Sequence, residues 1–402
     1  MKSLILLLTL TLQCLPASAQ KVVVADLWKP ANATSTDLSP RQASFGAALI
    51  QKSDKSMYSI EISVGTPGQP QSLQLDTGSR RMWIPAKGSS ICSGSLIDCS
   101  SLGSFDSSKS STFDSTGQTD TISYADGTSV TGESFYDTVR IGGQSVKRQI
   151  QVLGKQGSGV GEGVLGVGFP ASAPTLNHNL AAQGIIESNK YSLWLNDLDA
   201  ASGTIIFGGI DTAKFVPPLV RVPVVGGTDQ PTVRLSRIST IKNGRSTVQS
   251  PSGFSENAIL DTGTTLTVLP KALVDNIIEA MGARYYPNSD ADPGITIIPC
   301  SQKSKDISTS FRFAGPTINV DISQLVLESL GTLNGVEMCQ FGLFASDGSY
   351  PTTLGATFLR SAYVLYDVDN NRIGLAQTIV NAAATARLVA LSEDGSVDGV
   401  VA

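Results

Sequence analysis

Two aspartates occur in nearly identical surroundings, and their chemistry is the most informative feature of the sequence. Asp76 and Asp261 each begin an Asp-Thr-Gly triplet, which follows a short apolar segment and precedes a second one ending in proline. Two carboxyl groups held about 3 Å apart cannot both ionise cheaply, so such a pair shares one proton. The ionised member can activate water while the protonated member polarises a carbonyl group. The sequence therefore predicts acid–base chemistry at a site that titrates as a pair.

The residues after each aspartate are small or hydroxylated, as the positioning of carboxylates requires. Gly78 and Gly263 remove side chains where the backbone must turn and bring its amides to the carboxylates. Ser79 and Thr264 place hydroxyl groups near the outer carboxylate oxygens. One triplet alone is an ordinary turn sequence. Two copies with matching flanks predict a functional site.

The composition argues against several other functions. The sequence has one histidine, His178, so a histidine-rich zinc site or a two-histidine iron site cannot be built. No Gly-x-Ser-x-Gly turn accompanies it, and we interpret it as a solvated side chain. We expect no metal and no cofactor. The net charge is −5 without a basic stripe, which predicts no nucleic-acid binding. Aromatic residues make up only 6%, which disfavours a two-carboxylate glycosidase with an aromatic sugar cleft.

The sequence repeats its own pattern, and the repeat predicts two related lobes. Residues 73–85 match residues 258–270, and a second element follows each at nearly the same distance, Gly163–Gly166 and Thr353–Gly355. Short apolar runs separated by Gly and Asp-Gly predict strands for most of the chain. These strands include residues 58–64, 120–124, 135–141, 204–207 and 363–367. One helix is predicted over residues 271–281, ending at Gly282.

We divide the chain into five segments. Residues 1–19 have the basic start, apolar run and small-residue cleavage site of a secretory signal peptide. Residues 20–50 lack strong periodicity and are interpreted as a pro-segment or linker. Residues 51–215 and 216–384 form the N-terminal and C-terminal lobes, and residues 385–402 form a disordered acidic tail. Because no later stretch could span a bilayer, we expect a secreted, extracellular protein without a membrane anchor.

Four cysteines lie beyond the predicted signal peptide: Cys92, Cys99, Cys300 and Cys339. They allow three pairings, and export favours disulfides over free thiols. We expect the two local pairs, Cys92–Cys99 and Cys300–Cys339, each of which would staple one lobe. Zinc binding is the alternative, but the spacings fit no zinc-finger pattern.

From about residue 58 to residue 376 the sequence resembles the pepsin-like aspartic proteases, specifically secreted fungal members. The resemblance rests on both Asp-Thr-Gly motifs, on residues 124–128 (Tyr-Ala-Asp-Gly-Thr) and on the run from Leu354 to Tyr363. It implies an all-β, bilobal pepsin-like fold, with two related β-barrel-like lobes and the active-site cleft between them. It also implies that Asp76 and Asp261 are catalytic. Aspartic proteases are the established example of a carboxyl pair that shares a proton.

The resemblance implies roles for the residues around the pair. The hydroxyls of Thr77 and Thr262 would bond across the lobe interface, and Tyr124, Asp126 and Gly127 would form the tip of a flap that closes over substrate. The implied protein is a monomeric aspartic endopeptidase that hydrolyses polypeptides at acidic pH. The alternative is a catalytically inactive binding or inhibitor protein on the same fold.

Three positions are open to two interpretations each. Trp83 either supports Tyr124 by a hydrogen bond or is a core tryptophan. Asp126 either faces the cleft from a flap strand and pairs with a substrate lysine, or only makes the Asp-Gly turn. The Arg80-Arg81 pair departs from the small polar pair usual in the family, and we interpret it as two solvated charges in preference to a role in specificity.

Overall fold

The computed structural model describes residues 22–28, 57–93, 99–158, 160, 162–169, 175–200, 202–226, 229–286, 294–382 and 385–394. The predicted signal peptide lies outside these residues, as do most of the predicted pro-segment and residues 395–402. Among the described residues strands dominate and helices are few, in agreement with the predicted all-β, bilobal fold.

The strands of the N-terminal half are β1 Val23–Trp28, β2 Ser59–Val64, β3 Gln69–Asp76, β4 Met82–Pro85, β5 Asp114–Ser123, β6 Ser129–Ile141, β7 Gln144–Ser158, β8 Gly163–Gly166, β9 Lys190–Trp194, β10 Ser202–Phe207 and β11 Gly209–Asp211. Those of the C-terminal half are β12 Val220–Pro223, β13 Thr232–Leu235, β14 Arg237–Lys242, β15 Arg245–Gln249, β16 Glu256–Leu260, β17 Thr267–Pro270, β18 Arg284–Tyr286, β19 Ile295–Pro299, β20 Ile307–Arg312, β21 Thr317–Asp321, β22 Val326–Leu333, β23 Val336–Phe341, β24 Leu343–Ser346, β25 Thr353–Leu354, β26 Ala362–Asp367, β27 Arg372–Gln377 and β28 Leu388–Ala390. The described α-helices are α1 Ser90–Ser93, α2 Cys99–Leu102, α3 Leu176–Ala182, α4 Lys271–Met281 and α5 Ala356–Leu359.

Local sequence explains the regular elements that were predicted. In β2, Ile60, Ile62 and Val64 are buried while Glu61 is exposed, which is the period-two alternation of a strand. The predicted helix over residues 271–281 is α4, which buries an apolar stripe and ends at Gly282 with φ of 73°. Glycine adopts this left-handed conformation without steric cost, so it terminates the helix.

The sequence repeat corresponds to a repeated strand arrangement. Strand β3, which ends at Asp76, pairs in parallel with β8, and β4 pairs antiparallel with the same strand. In the second half, β16 precedes Asp261 and pairs in parallel with β25, and β17 pairs antiparallel with β25. The second repeated element is therefore the strand that supports each aspartate loop.

A central platform joins the two halves of the chain. In its strand order, β12, β27 and β26 of the C-terminal half lie beside β9 and β10, which are followed by β1 and β2. Strand β1 pairs with β10 over residues 23–28 and with β2 at Leu27 and Trp28. The predicted pro-segment thus contains a strand that its sequence did not reveal, because its main partner is almost 180 residues away in the chain.

The prediction of a disordered tail from residue 385 is wrong for residues 385–394. Strand β28 pairs with β11, and Leu391 is fully buried. The backbone carbonyl of Glu393 accepts hydrogen bonds from the buried Lys190 ammonium at 2.7 Å and from Asn370 at 3.0 Å. The tail is held by its backbone and one leucine, which its acidic composition did not indicate.

Both predicted disulfides are present, Cys92–Cys99 and Cys300–Cys339, each within one half of the chain. No helix in the described part of the chain is long and apolar enough to cross a membrane.

Candidate active site

The two aspartates meet between the lobes, at the ends of equivalent strands. The backbone N–H of Gly78 donates to Oδ1 of Asp76 at 2.8 Å and to Oδ1 of Asp261 at 3.1 Å. The N–H of Gly263 donates to Oδ1 of Asp261 at 2.8 Å. One N–H thus contacts the inner oxygens of both carboxyl groups, so the predicted pair is assembled in space.

The outer oxygens of the two carboxyls are held less symmetrically than the repeat predicts. The Thr264 hydroxyl donates to Oδ2 of Asp261 at 2.7 Å. Ser79 contributes its backbone N–H, at 3.0 Å from Oδ1 of Asp76. Its hydroxyl is buried and makes no hydrogen bond of normal geometry within the described protein atoms. The Ser79 hydroxyl nevertheless lies close enough to Asp76 to lower the pKa of that carboxyl, so it supports the carboxylate more weakly than Thr264 supports Asp261.

The two glycines are required because there is no space for a side chain. A Cβ on Gly78 would lie 2.6 Å from the Asp261 carboxyl carbon, and a Cβ on Gly263 would lie 2.8 Å from Oδ1 of Asp76. Neither glycine has a positive φ. Each glycine therefore makes room for the carboxylate of the opposite lobe.

The two threonines lock the aspartate loops together across the interface. The Thr77 hydroxyl donates to the Leu260 carbonyl at 2.9 Å and accepts from the Thr262 N–H at 3.0 Å. Reciprocally, the Thr262 hydroxyl donates to the Leu75 carbonyl at 2.7 Å and accepts from the Thr77 N–H at 3.1 Å. All four bonds are buried, so they fix the separation of the two loops.

The environment of Asp76 favours its protonated form. Burial, and then the neighbouring charge of Asp261, raise the pKa of the Asp76 carboxyl from 3.8 to about 7. The Ser79 hydroxyl and then the N–H of Gly78 act in the opposite direction, because they stabilise the carboxylate. The pair therefore keeps one proton well above the pH at which an exposed aspartic acid loses its proton.

A hairpin covers one side of the cleft and carries Tyr124 at its turn. The Tyr124 N–H donates to the Thr128 carbonyl at 2.9 Å, and Gly127 has a φ of 85° that suits the turn. The indole N–H of Trp83 donates to the Tyr124 hydroxyl at 2.9 Å. Burial and the charge of Asp76 raise the pKa of Tyr124, so its hydroxyl stays protonated.

Asp126 lies in the turn of this hairpin and not on a strand, contrary to the expected strand position. Its Oδ1 accepts from the N–H and the hydroxyl of Thr128, at 2.9 and 2.7 Å. The side chain nevertheless lines the cleft. Asp126 therefore makes the turn and also faces the cleft, so the two interpretations are compatible.

The interpretation of Arg80-Arg81 as solvated charges is wrong, because both arginines form ion pairs. Arg80 contacts Asp229 of the C-terminal half at 3.0 Å. Arg81 pairs with Asp120 on β5, the first strand of the hairpin. Neither pairing was predictable, since the partners are distant in the sequence.

The cleft between the lobes encloses about 290 Å³, and its lining includes two polar residues outside the predicted motifs. Gln74 lies in the wall and donates to the Gly263 carbonyl at 3.3 Å. Glu162, also in the wall, accepts from the Ser59 hydroxyl at 3.1 and 3.0 Å. The signals that sequence reasoning missed were a glutamine inside the apolar run before Asp76 and a carboxylate directly before the second repeated element.

Within the described residues, no group of three or more His, Cys, Asp or Glu side chains could hold a metal ion. His178 is exposed on α3 and does not line the cleft.

The comparisons with known proteins agree on one protein family. The sequence model of the family described as "eukaryotic aspartyl protease" matches residues 57–378, which include both Asp-Thr-Gly motifs. The chain is 36% identical to the probable aspartic-type endopeptidase opsB of Aspergillus fumigatus, over 81% of this chain and 70% of that protein. It is 35% identical to secreted aspartic protease 8 of Candida albicans, over 80% and 75%. It is 32% identical to an acid protease of Saccharomycopsis fibuligera, over 83% of each chain.

Proposed function

The chain belongs to the eukaryotic aspartyl protease family of endopeptidases, and on that premise we propose that it hydrolyses peptide bonds at acidic pH with a water activated between Asp76 and Asp261. The observation that carries the proposal is the Gly78 N–H, which bonds to the inner oxygens of both carboxyl groups. Such a pair holds one proton and presents one acid and one base to the same point.

In the reaction each carboxyl accepts one proton and donates one proton. The ionised carboxyl takes a proton from water as the water oxygen attacks the carbonyl carbon, while the protonated carboxyl gives its proton to the carbonyl oxygen. The resulting tetrahedral diol collapses when the carboxyl that took the proton from water gives it to the amide nitrogen and the carbon–nitrogen bond breaks. One diol hydroxyl gives its proton to the other carboxylate at the same time, which restores the pair. The locked aspartate loops support this series of steps, because an active site must hold its reacting groups to within about 0.5 Å.

The flap supports binding of an extended polypeptide. Tyr124 is held by Trp83 and lines the cleft on the side of Asp76. We propose that this hairpin closes over the substrate and excludes water from the pair. Secretion, a monomeric state and the lobe boundaries at residues 51–215 and 216–384 belong to the same proposal. Sequencing the N-terminus of the protein recovered from culture medium tests the first.

The main experiment is hydrolysis of a denatured protein substrate, with and without a statin-type peptide inhibitor. Asp76→Asn and Asp261→Asn should each lower turnover by several orders of magnitude and remain folded. Asp275→Asn, on the exposed face of α4, is the matched control and should keep full activity. Activity should be bell-shaped, with its maximum between about pH 3 and 6. A folded wild type without activity would instead indicate an inactive binding protein.

Specificity is a finer part of the proposal. We propose a preference for bulky apolar side chains before the cleaved bond, together with acceptance of lysine through Asp126. A partly desolvated ion pair in the cleft is worth more than one at the surface. Matched peptides with Lys or Leu at that position are compared on wild type and Asp126→Thr. An unchanged Lys-to-Leu ratio of kcat/KM would leave Asp126 as a turn residue only.

A further inference from the structure

An ion pair connects the catalytic loop region to the base of the flap. Arg81 lies two residues after Ser79, and its guanidinium contacts the Asp120 carboxylate on β5. The Ser134 hydroxyl donates to the same carboxylate at 3.3 Å, from the second strand of the hairpin. Both members of the ion pair are only partly exposed, with 39% and 33% of the side chain accessible.

This ion pair acts beside the Trp83–Tyr124 hydrogen bond. Arg81 and Trp83 are two residues apart, so in the extended chain entering β4 they project on the same side. Asp120 and Tyr124 are four residues apart on the flap and face them in the same order. The flap is therefore attached to the floor of the cleft at two points, one near its tip and one near its base.

The two sides of the ion pair differ in rigidity. The Arg81 carbonyl accepts from the Gly166 N–H at 3.1 Å, and a Cβ on Gly166 would lie 2.5 Å from that carbonyl oxygen. Asp120 lies on β5, which is the last strand in its sheet and, among the strands that the structure describes, pairs with β6 alone. The register of that pairing is interrupted between Ser115 and Thr119, directly before Asp120. Because β5 has one strand neighbour and an irregular register, side-chain contacts contribute much of its restraint.

We propose that Arg81 is a positioning residue, which holds the flap at its closing position over the cleft through Asp120. This inference rests on the proposed function, because it concerns how the flap receives substrate. The ion pair keeps the free flap close to its substrate-bound position, so less ordering remains to be done when substrate binds.

Loss of the ion pair should therefore act on binding more than on chemistry. The flap contacts substrate in both the ground state and the transition state, and an interaction made equally in both changes KM while kcat stays constant. We expect Arg81→Gln and Asp120→Asn each to raise KM about five-fold, with kcat within two-fold of wild type. The double variant should also be about five-fold, since both changes break the same contact. Arg81→Lys keeps the positive charge, so its KM should stay close to the wild-type value.

Amide hydrogen exchange of residues 118–131 gives a readout that does not need activity. Exchange in this segment should be faster in both single variants and unchanged in Lys155→Gln. The control breaks the Lys155–Glu133 ion pair, which has comparable exposure and joins two strands of the same sheet. Two variants on opposite sides of the contact keep the test decisive if one of them folds poorly.

Unchanged flap exchange in both single variants would overturn the inference, as would a double variant whose KM rises about 25-fold, the product of independent effects. If the wild type hydrolyses no peptide between about pH 3 and 7, the proposed function fails. In that case the exchange data alone still decide whether Arg81 holds the flap.

Discussion

Replacement of Asp76 by asparagine should change how the stability of the fold depends on pH. The pKa of Asp76 is raised in the folded protein to about 7, whereas an exposed aspartic acid titrates near 3.8. Between these two values the folded state binds a proton that the unfolded state has released. Stability therefore falls as pH rises through this range, and it levels off above about pH 7.

The size of this effect follows from the pKa difference. Each unit of pKa difference corresponds to about 1.4 kcal/mol, so wild type should lose on the order of 4 kcal/mol of unfolding free energy from Asp76 between about pH 4 and 7. Asp76→Asn has no proton to lose and should lack this contribution. Asp261→Asn should retain a smaller slope, because it removes the neighbouring charge but not the burial, which is the larger cause.

The measurement is urea unfolding followed by tryptophan fluorescence at several pH values, with freshly diluted protein to limit self-cleavage. Other titrating groups are common to all variants and cancel when the curves are subtracted. Asp275→Asn, an exposed aspartate on α4, is the control and should follow wild type. If Asp76→Asn loses stability between pH 4 and 7 as steeply as wild type, the carboxyl pair does not share a proton as described.

Three further predictions concern the scaffold. Replacing Cys300 and Cys339 by alanine should cost about 4 kcal/mol in the chain-entropy model, against about 2.4 kcal/mol for the shorter loop of the other disulfide; equal costs in urea unfolding would contradict it. Thr77→Val leaves the buried Thr262 N–H without its partner, while the Leu260 carbonyl keeps the Tyr366 hydroxyl at 3.4 Å, so unfolding free energy should fall by about 1–3 kcal/mol and kcat should fall with it; an unchanged kcat would show that the cross-lobe bonds do not position the site. Lys190→Met strands the buried carboxylate of Asp367 and should cost about 3–5 kcal/mol, most of which the added change Asp367→Leu should restore; a double variant as unstable as the single one would refute the ion-pair account.

The parts of the structure that the sequence predicted are those with local or repeated signals. The duplicated triplets and the second repeated element required no knowledge of distant contacts, and α4 carries its own apolar stripe and glycine stop. Tyr124 and Gly127 were identified as a flap from a short motif, and the hairpin is present. Their catalytic and substrate-binding roles remain predictions.

The parts that sequence reasoning missed depend on partners far away in the chain. Strand β1, with the sequence Val-Val-Ala-Asp-Leu-Trp, shows no regular alternation of apolar and polar residues, and it pairs with β10. Arg81 was interpreted as solvated because its partner, Asp120, is 39 residues later in the chain and is brought to it by β5. The tail was interpreted as disordered because of its acidic residues. It is held to the rest of the protein by the Glu393 carbonyl, which accepts from Lys190, and by the buried side chain of Leu391.

The shared platform ties the order of chain synthesis to the order of folding. Strand β9 leaves the ribosome long before β26, yet β26 is its hydrogen-bonded neighbour over residues 190–193. Until the residues from Ala362 onward emerge, β9 presents an open strand edge, and such edges recruit other chains. Pairing over so long a stretch of chain is slow, which prolongs this exposed state. We therefore expect a product that stops before residue 362 to aggregate through the exposed edge of β9.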